Sequence, residues 1–490
     1  MVENPQTEIT KNKFKEFSES YNLIPVYKVI NKDNHTPVSI YKSLKNYANT
    51  FLLESVEGNK NFARYSFIGL NPDKIIKTGD KEEFKGVDPL EELEKQISDI
   101  KTPSLPGLPE FNSGAVGFIS YEAVSYFEPS VKKIIDQTSY FPESIFFITS
   151  SLIIFDNQEN KIFIVSHADL RKSNNIDDEY SKSLEEINSL NNLIDNSKII
   201  EQKTQQHQDV ILKIDSLTTK KEFMESVDET KKLIYSGEMI QAVLSQKLTV
   251  KVESEAIDIF SSLRQINPSP YMFLLDCDDF KIIGSSPELL VKLQNGKTAV
   301  HPIAGTRPRG KNDEEDIKNE TDLLDDEKEI SEHLMLLDLG RNDLGKIAKP
   351  GSVKVTQQME IERYSHVMHI VSHVEADINP NFNAFDVLRS AFPAGTVTGA
   401  PKVRAMKLIS EKEEYKRGPY SGAVGYFSYN GNMDTAIAIR TIVLKDNLAI
   451  LQAGAGIVAD SDPETEHNEC LAKMGALIKA LEHAEKSIQI

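Results

Sequence analysis

Residues Thr435–Met474 read TAIAIRTIVLKDNLAILQAGAGIVADSDPETEHNECLAKM. The runs TAIAIRTIVL and LAILQAG are β-branched and apolar, as strands are. The second passes through AGAG into a helix. Asp462 stands at the N-cap position, Pro463 suits the first helical residue, and Leu471, Met474 and Ile478 make the apolar stripe. Upstream, YMFLLD and IIGSS are further strands that alternate with helices, without the regular βα rhythm of a doubly wound parallel sheet. The expected class is α+β with large, mostly antiparallel sheets.

Working outward, this unit opens near residue 217. Thr219 and Glu222 have capping-box spacing, and Phe223, Val227 and Ile234 recur at helical spacing before Ser236-Gly237. In MIQAVLSQKLTVKV, residues Ile240, Ala242, Leu244, Leu248 and Val250 share one strand face, and Gln241, Val243 and Lys247 the other. Residues 18–167 hold short strand-like runs such as FLLESV, YSFIGL and GAVGFISY. Residues 168–216 are polar and read as a linker with a surface helix, and 1–17 as a flexible start.

The chain has 490 residues, 39% of them hydrophobic, so a sizeable core is available. Net charge is −19 and the pI near 5.1, which disfavours nucleic acid and anionic membrane as partners. Cys277 and Cys470 are too few for a disulfide framework or a thiolate zinc site. The N-terminus has charges where a signal peptide is apolar, and Ser144–Phe155 is too short and too rich in Ser and Thr to span a bilayer. A cytoplasmic protein is expected.

Two glutamate pairs carry possible chemistry. Glu329 and Glu332 lie on a helix whose apolar face is Ile330, Leu334 and Leu337; Glu466 and Glu469 lie on the helix after AGAG. Spacing i, i+3 places each pair on one face. Four carboxylates suit a hard cation, Mg²⁺ above all; equally, acidic residues near a helix start offset its dipole. AGAG and FPAGTVTGAPKVRAM can present free N–H groups to an anion, or be ordinary turns. Arg440 in an apolar run needs an anionic partner, protein or substrate. His366, His369 and His373 converge if their segment is helical and do not if it is a strand.

Nine blocks occur in order: GEMIQAVLSQ, GSSPELLV, HPIAGTRPRG, EHLMLLDLGRNDLG, SHVMHIVSHV, AFPAGTVTGAPKVRAM, GPYSGAVGYF, AIAIRTIV and AGAGIVADSDPETEHNECLAKM. Together they resemble the chorismate-utilising enzymes, and among them the anthranilate synthase component I family, strongly over about 219–482 and more weakly over 21–165. The resemblance implies a layered α/β/β/α unit of two interlocked subdomains. Residues 18–167 would carry a tryptophan feedback site and 217–490 would bind chorismate.

Position by position, Glu332 and Glu469 match Mg²⁺ ligands, with Glu329 and Glu466 beside them through water. Gly305, Thr306, Tyr420, Arg440, Gly454, Ala455, Gly456 and Lys473 match positions around chorismate. Glu288, His369 and Thr396 match catalytic positions. Glu288 would protonate the departing 4-hydroxyl, and His369 would serve pyruvate elimination. Family members that use a lysine nucleophile have it where this chain has Ala304; those that activate water with a lysine have it at Gln241. Ammonia as nucleophile remains. This chain carries no glutaminase nucleophile elbow, so a glutamine amidotransferase subunit (component II) is the implied partner, in a heterotetramer. Ser55, Pro270, Tyr271 and Met272 match the L-tryptophan site, and the chain itself contains no Trp.

Overall fold

In a computed structural model, the described residues are 9–56, 64–131, 141–173, 175–197, 211–364 and 367–486. They form a 12-stranded and a 10-stranded sheet. Antiparallel ladders run through both, as in Gln241–Lys251 against Leu448–Ile457 and Gly114–Ile119 against Ala423–Ser428. Inner faces meet in one core: Phe51 of the larger sheet stacks on Phe147 of the smaller, 6.4 Å between ring centroids. The helix Pro463–Lys486 covers the larger sheet, and Glu327–Gly345 and Ala384–Ala391 cover the smaller.

The early and late parts of the chain are woven together in both sheets. Phe51–Glu54 lies beside Tyr271–Asp276, with Glu54 opposite Met272. Gly114–Ile119 lies beside Ala423–Ser428, with Gly117 opposite Gly425. The polar stretch after residue 167 contributes the helix Ile176–Asn196, capped by Asn175, with Tyr180, Ile187, Leu190 and Ile194 buried. Within 1–17, residues Lys11–Phe17 are helical, capped by Thr10; Phe14 is buried with its ring 4.9 Å from that of Tyr180. Residues 1–8 and 198–210 lie outside the described set.

Several expectations change in detail. TAIAIRTIVL is two strands: Met433–Ile437 belongs to the smaller sheet and Thr441–Lys445 to the larger. The chain crosses between sheets at Ala438–Arg440, and Arg440 adopts φ 49°, a bend an uninterrupted strand does not contain. Likewise Lys281–Ser286 lies in the larger sheet and Leu289–Gln294 in the smaller, crossing at Pro287-Glu288. Strand Gln241–Lys251 is covered on both faces, so Lys247 is buried, while Ile240 just outside it is 62% exposed. On the helix Glu327–Gly345 the buried face is His333, Leu336, Leu337 and Leu344, and Leu334 is exposed. On Pro463–Lys486 it is Glu466, Cys470, Met474, Leu477 and Leu481, rotated so that Leu471 is exposed. Each fully buried Leu contributes about 1.5–3 kcal/mol, which outweighs the periodicity read from any single residue. The clustered histidines lie on a strand, Val367–Asp377, so they do not converge; His366 lies outside the described residues.

Candidate active site

The two crossovers bring Glu288 and Arg440 near enough for each to feel the other's charge. Glu288 is buried, and Thr396 donates its hydroxyl proton to Glu288 Oε1 at 2.7 Å. Burial pushes the Glu288 carboxyl up to about 7, against the pull of Thr396, Arg440, His301 and Lys473. Thr396 itself sits in a single 3₁₀ turn, Gly395–Val397. Arg440 feels Glu288, Tyr420 and Glu469, yet burial still holds its guanidinium below its ordinary pKa. Among the described residues no carboxylate lies within ion-pair distance of it. Among the described residues, then, no carboxylate supplies the anionic partner expected for it.

Gly454–Gly456 lie opposite Val243–Ser245 in the larger sheet. A Cβ at Gly456 would fall 2.3 Å from Gln241 Nε2, and one at Gly454 would fall 3.0 Å from Tyr420 Oη, so neither position admits a side chain. Ala455 packs with Leu244 and Cys470 under the helix layer and offers the site main chain only. Lys473 Nζ donates to Gly454 O at 2.9 Å and pairs with Glu469 at 2.7 Å. Tyr420 is buried, its hydroxyl pushed up to about 12 by burial, and the fully buried Arg417 lies 5.6 Å from its ring. Arg417, held by Glu413, was not singled out in the sequence; the surplus of basic residues in KRGPY is the faint signal for it.

The glutamate pairs stand in the first turns of two helices, near enough for Glu466 to feel the charge of Lys328 on the other helix. Gln241 Nε2 donates to Glu332 Oε1 at 3.1 Å, and Arg307 lies 3.4 Å from Glu329. Burial raises the pKa of both Glu329 and Glu466, and the neighbouring Glu332 and Glu469 raise it further. Crowded carboxylates of this kind gain from a cation. Among the described residues no three acidic, His or Cys side chains converge on one point, so those residues offer an ion two carboxylates at most. That donor set fits Mg²⁺, which takes one or two carboxylates and completes its shell with water and a bound anion.

His369 faces the same space from the smaller sheet, opposite Thr306 and Glu362 on its two neighbouring strands. Its Nδ1 lies 2.9 Å from Gly305 O and 3.0 Å from Thr306 Oγ1. A carbonyl only accepts, so Nδ1 carries the proton and Nε2 presents a lone pair. Burial and the charge of Arg440 hold the imidazole below its ordinary pKa. Gly305 has φ 74°, and a Cβ there would meet Glu329 Oε2 at 3.3 Å. The carboxylates and the histidine thus border one space.

A second cavity, of about 240 Å³, lies elsewhere between the sheets. Ser55, Pro270, Tyr271 and Met272 all line it, with Phe67, Phe111 and Tyr426. Phe111 and Tyr426 stack at 3.9 Å. Ser55 Oγ and Asp434 Oδ1 are buried there without a hydrogen-bond partner.

Residues 48–479 match the family described as chorismate binding enzyme. Anthranilate synthase component 1 of Acetivibrio thermocellus is 43% identical over 494 residues, covering 97% of this chain and 98% of that protein. The same component of Aquifex aeolicus is 43% identical, covering 96% and 97%. The crystal structure of anthranilate synthase component I from Streptococcus pneumoniae superposes with a TM-score of 0.76 at 37% identity, covering 92% of this chain and 99% of that one. The menaquinone-specific isochorismate synthase of Escherichia coli, 18% identical with a TM-score of 0.70 and covering 96% and 98%, shares the fold. The chain belongs to the chorismate binding enzyme family.

Proposed function

We propose that this chain is the large subunit of an anthranilate synthase, converting chorismate and ammonia to anthranilate and pyruvate, the first committed step of L-tryptophan synthesis. The carrying observation is Arg440, a desolvated guanidinium with no protein carboxylate in ion-pair range among the described residues, beside the buried acid Glu288. Chorismate has two carboxylates. One pairs with Arg440 and main-chain amides of Gly454–Gly456. Glu332 and Glu469 would hold Mg²⁺ near the other, with Glu329 and Glu466 outside them. The ion supplies charge neutralisation for that carboxylate and the crowded glutamates.

Ammonia adds at C2 and the 4-hydroxyl leaves as water. Glu288, half protonated near pH 7, supplies the proton for that departure. Thr396 holds one of its carboxyl oxygens and leaves the other for the substrate. The product is aminodeoxyisochorismate. Nε2 of His369 then accepts the C2 proton, the C3–O bond breaks, and the enolpyruvyl group takes up a proton to leave as pyruvate. Ala304 offers no competing nucleophile, and Gln241 is not a base for water.

Ammonia comes from a glutamine amidotransferase subunit, component II. The aromatic cavity takes L-tryptophan as inhibitor: its stacked rings suit an indole, and the Asp434 and Ser55 oxygens suit an α-amino group. A cytoplasmic enzyme fits this role, and no described helix is long and apolar enough to cross a membrane. The test is product identity from chorismate, Mg²⁺ and an ammonium salt. Anthranilate fluorescence with equimolar pyruvate is expected, and His369→Met accumulates the non-fluorescent amino-diene. Isochorismate or 4-amino-4-deoxychorismate as the product overturns the proposal.

A further inference from the structure

The loop that carries Thr396 runs from Phe392 to Pro401, between the helices Ala384–Ala391 and Lys402–Lys412, and it is tied at its neck. Lys402, just after the loop, donates from Nζ at 3.0 Å to the carbonyl of Ala391, just before it. The same ammonium pairs at 2.6 Å with Asp343 of the helix Glu327–Gly345. Asp343 Oδ1 accepts from Lys346 Nζ at 2.9 Å, and Lys346 donates also to Ser390 O at 3.1 Å. The side chains of Lys402 and Asp343 are only 11% and 8% exposed. Burial holds the Lys402 ammonium below its ordinary pKa, against the pull of Asp343. Closing a loop does not by itself call for a buried ion pair, since apolar residues of like volume serve as well or better. What the pair adds is direction: the ammonium has acceptors fixed on two different helices.

The two arms of the loop are held differently. The trailing arm lies on the larger sheet, where Gly399 and Ala400 pair with Ala242 and Gln241 and Val243 N donates to Thr398 O at 2.8 Å. Beside it Arg417 donates to Val397 O at 2.8 Å. The leading arm is bound to the trailing one by Thr398 Oγ1, which donates to Ala394 O at 2.7 Å, and it rests on Leu339, which a Cβ on Gly395 would strike. Its tie at the base is Lys402. Thr396 stands where the arms meet and donates to Glu288 at 2.7 Å. We propose that Lys402 is a positioning residue: by drawing Ala391 O and Asp343 together it closes the neck of this loop and holds the Thr396 hydroxyl on the Glu288 carboxyl. That bond favours the charged carboxylate, so its loss pushes the Glu288 carboxyl higher. The other charges that reach Glu288 are Arg440, His301 and Lys473, and Asp343 lines the same small cavity as Glu288 and Thr396. Lys346 leaves Asp343 paired when Lys402 is replaced.

The proposal rests on Glu288 as the acid of the amination step, and the experiment separates the two. The Glu288 titration is read without substrate from the infrared band of its protonated carboxyl, identified as the band that Glu288→Gln lacks. In Lys402→Met the midpoint should rise by about one pH unit, the worth of one hydrogen bond to a carboxylate. The basic limb of amination should move up with it, and its plateau should fall about tenfold because the acid is misaimed. Lys402→Arg, which keeps a cation with several donors, should restore both. Thr396→Val should raise the midpoint as far, and adding Lys402→Met to it should move the midpoint no further. Lost activity with a wild-type midpoint makes Lys402 a structural residue only and overturns the proposal. So does a further shift in the double variant, since the effect then bypasses Thr396. A raised midpoint with an unmoved amination limb upholds the positioning role and removes Glu288 as the acid. Where Lys402→Met does not fold, Lys402→Gln is read in the same way.

Discussion

Two cavities open between the same two sheets, and they are built on opposite principles. The proposed chorismate site is polar and titratable, and its key groups sit where strands leave one sheet for the other, Glu288 after Pro287 and Arg440 at a positive φ. The second cavity is aromatic, lined by regular strand positions around Phe111 and Tyr426. On the proposed reading, that difference separates chemistry from sensing. Bends release main chain and side chains from the ladder to meet a charged substrate. Regular strands instead hold a preformed apolar slot. Yet the cavities share strands Leu289–Gln294 and Met433–Ile437. Ile437 N donates to Glu288 O, and Asp434, three residues earlier, lines the aromatic cavity. At about 3.3 Å per residue the separation along the strand is about 10 Å.

If the polar site is as assigned, the largest loss comes from its metal carboxylate. Glu469→Gln should lower the chorismate-to-anthranilate rate by on the order of 10³, since a metal contact of this kind is worth several kcal/mol and each 1.36 kcal/mol is tenfold. It should also raise the Mg²⁺ needed for half-maximal rate. Wild-type turnover in excess EDTA would erase the contrast between the two cavities. A smaller effect follows from Glu288. Its raised pKa, about 7, keeps the acid form present where an ordinary carboxyl would have lost it. Amination at fixed free ammonia should therefore fall about tenfold per unit above that pH, as the protonated fraction does. Glu288→Gln should abolish that limb, and an unchanged pH profile would remove Glu288 as the acid.

The two cavities were also unequally legible in the sequence. Paired glutamates at i, i+3 mark a helix face by themselves, and their helices fall where periodicity puts them, apart from a rotated stripe at Leu334 and Leu471. Arg440 was legible as a charge in an apolar run that needed an anion. The sheet switch that exposes it was not, because residues on both sides have equal β-propensity and only tertiary pairing divides them. Ser55, Pro270, Tyr271 and Met272 carry no local chemical signal, and resemblance alone singled them out. They meet because Phe51–Glu54 inserts beside Tyr271–Asp276, more than two hundred residues away in sequence, as the paired numbers show. The histidines were ambiguous for a physical reason: spacings of 3 and 4 converge on a helix, whereas on the strand Val367–Asp377 His369 and His373 share a face but stand about 13 Å apart along it.

The smallest effect on turnover, and the sharpest test of the separation, belongs to Ser55. Its hydroxyl oxygen is buried and unpartnered at the wall of a cavity of about 240 Å³. A benzyl group there fills space an indole would use and removes the hydroxyl that meets the amino acid. Ser55→Phe should raise the tryptophan concentration for half-inhibition by about 10², which is about 3 kcal/mol of lost binding. The substitution touches none of the groups around Glu288, Arg440 or His369, so kcat without tryptophan should stay within about twofold. On the proposed reading, inhibition would work by population shift, with tryptophan favouring a position of the shared strands that misplaces Glu288. That makes the coupling reciprocal: saturating chorismate should weaken tryptophan binding to the wild type by the same factor that tryptophan weakens chorismate binding. Calorimetric titration of tryptophan, with and without chorismate and in the absence of ammonia, reads both numbers. Unchanged inhibition in Ser55→Phe would place the inhibitor elsewhere. Strict competition, with no ternary complex at any concentration, would mean that the two cavities act as one site.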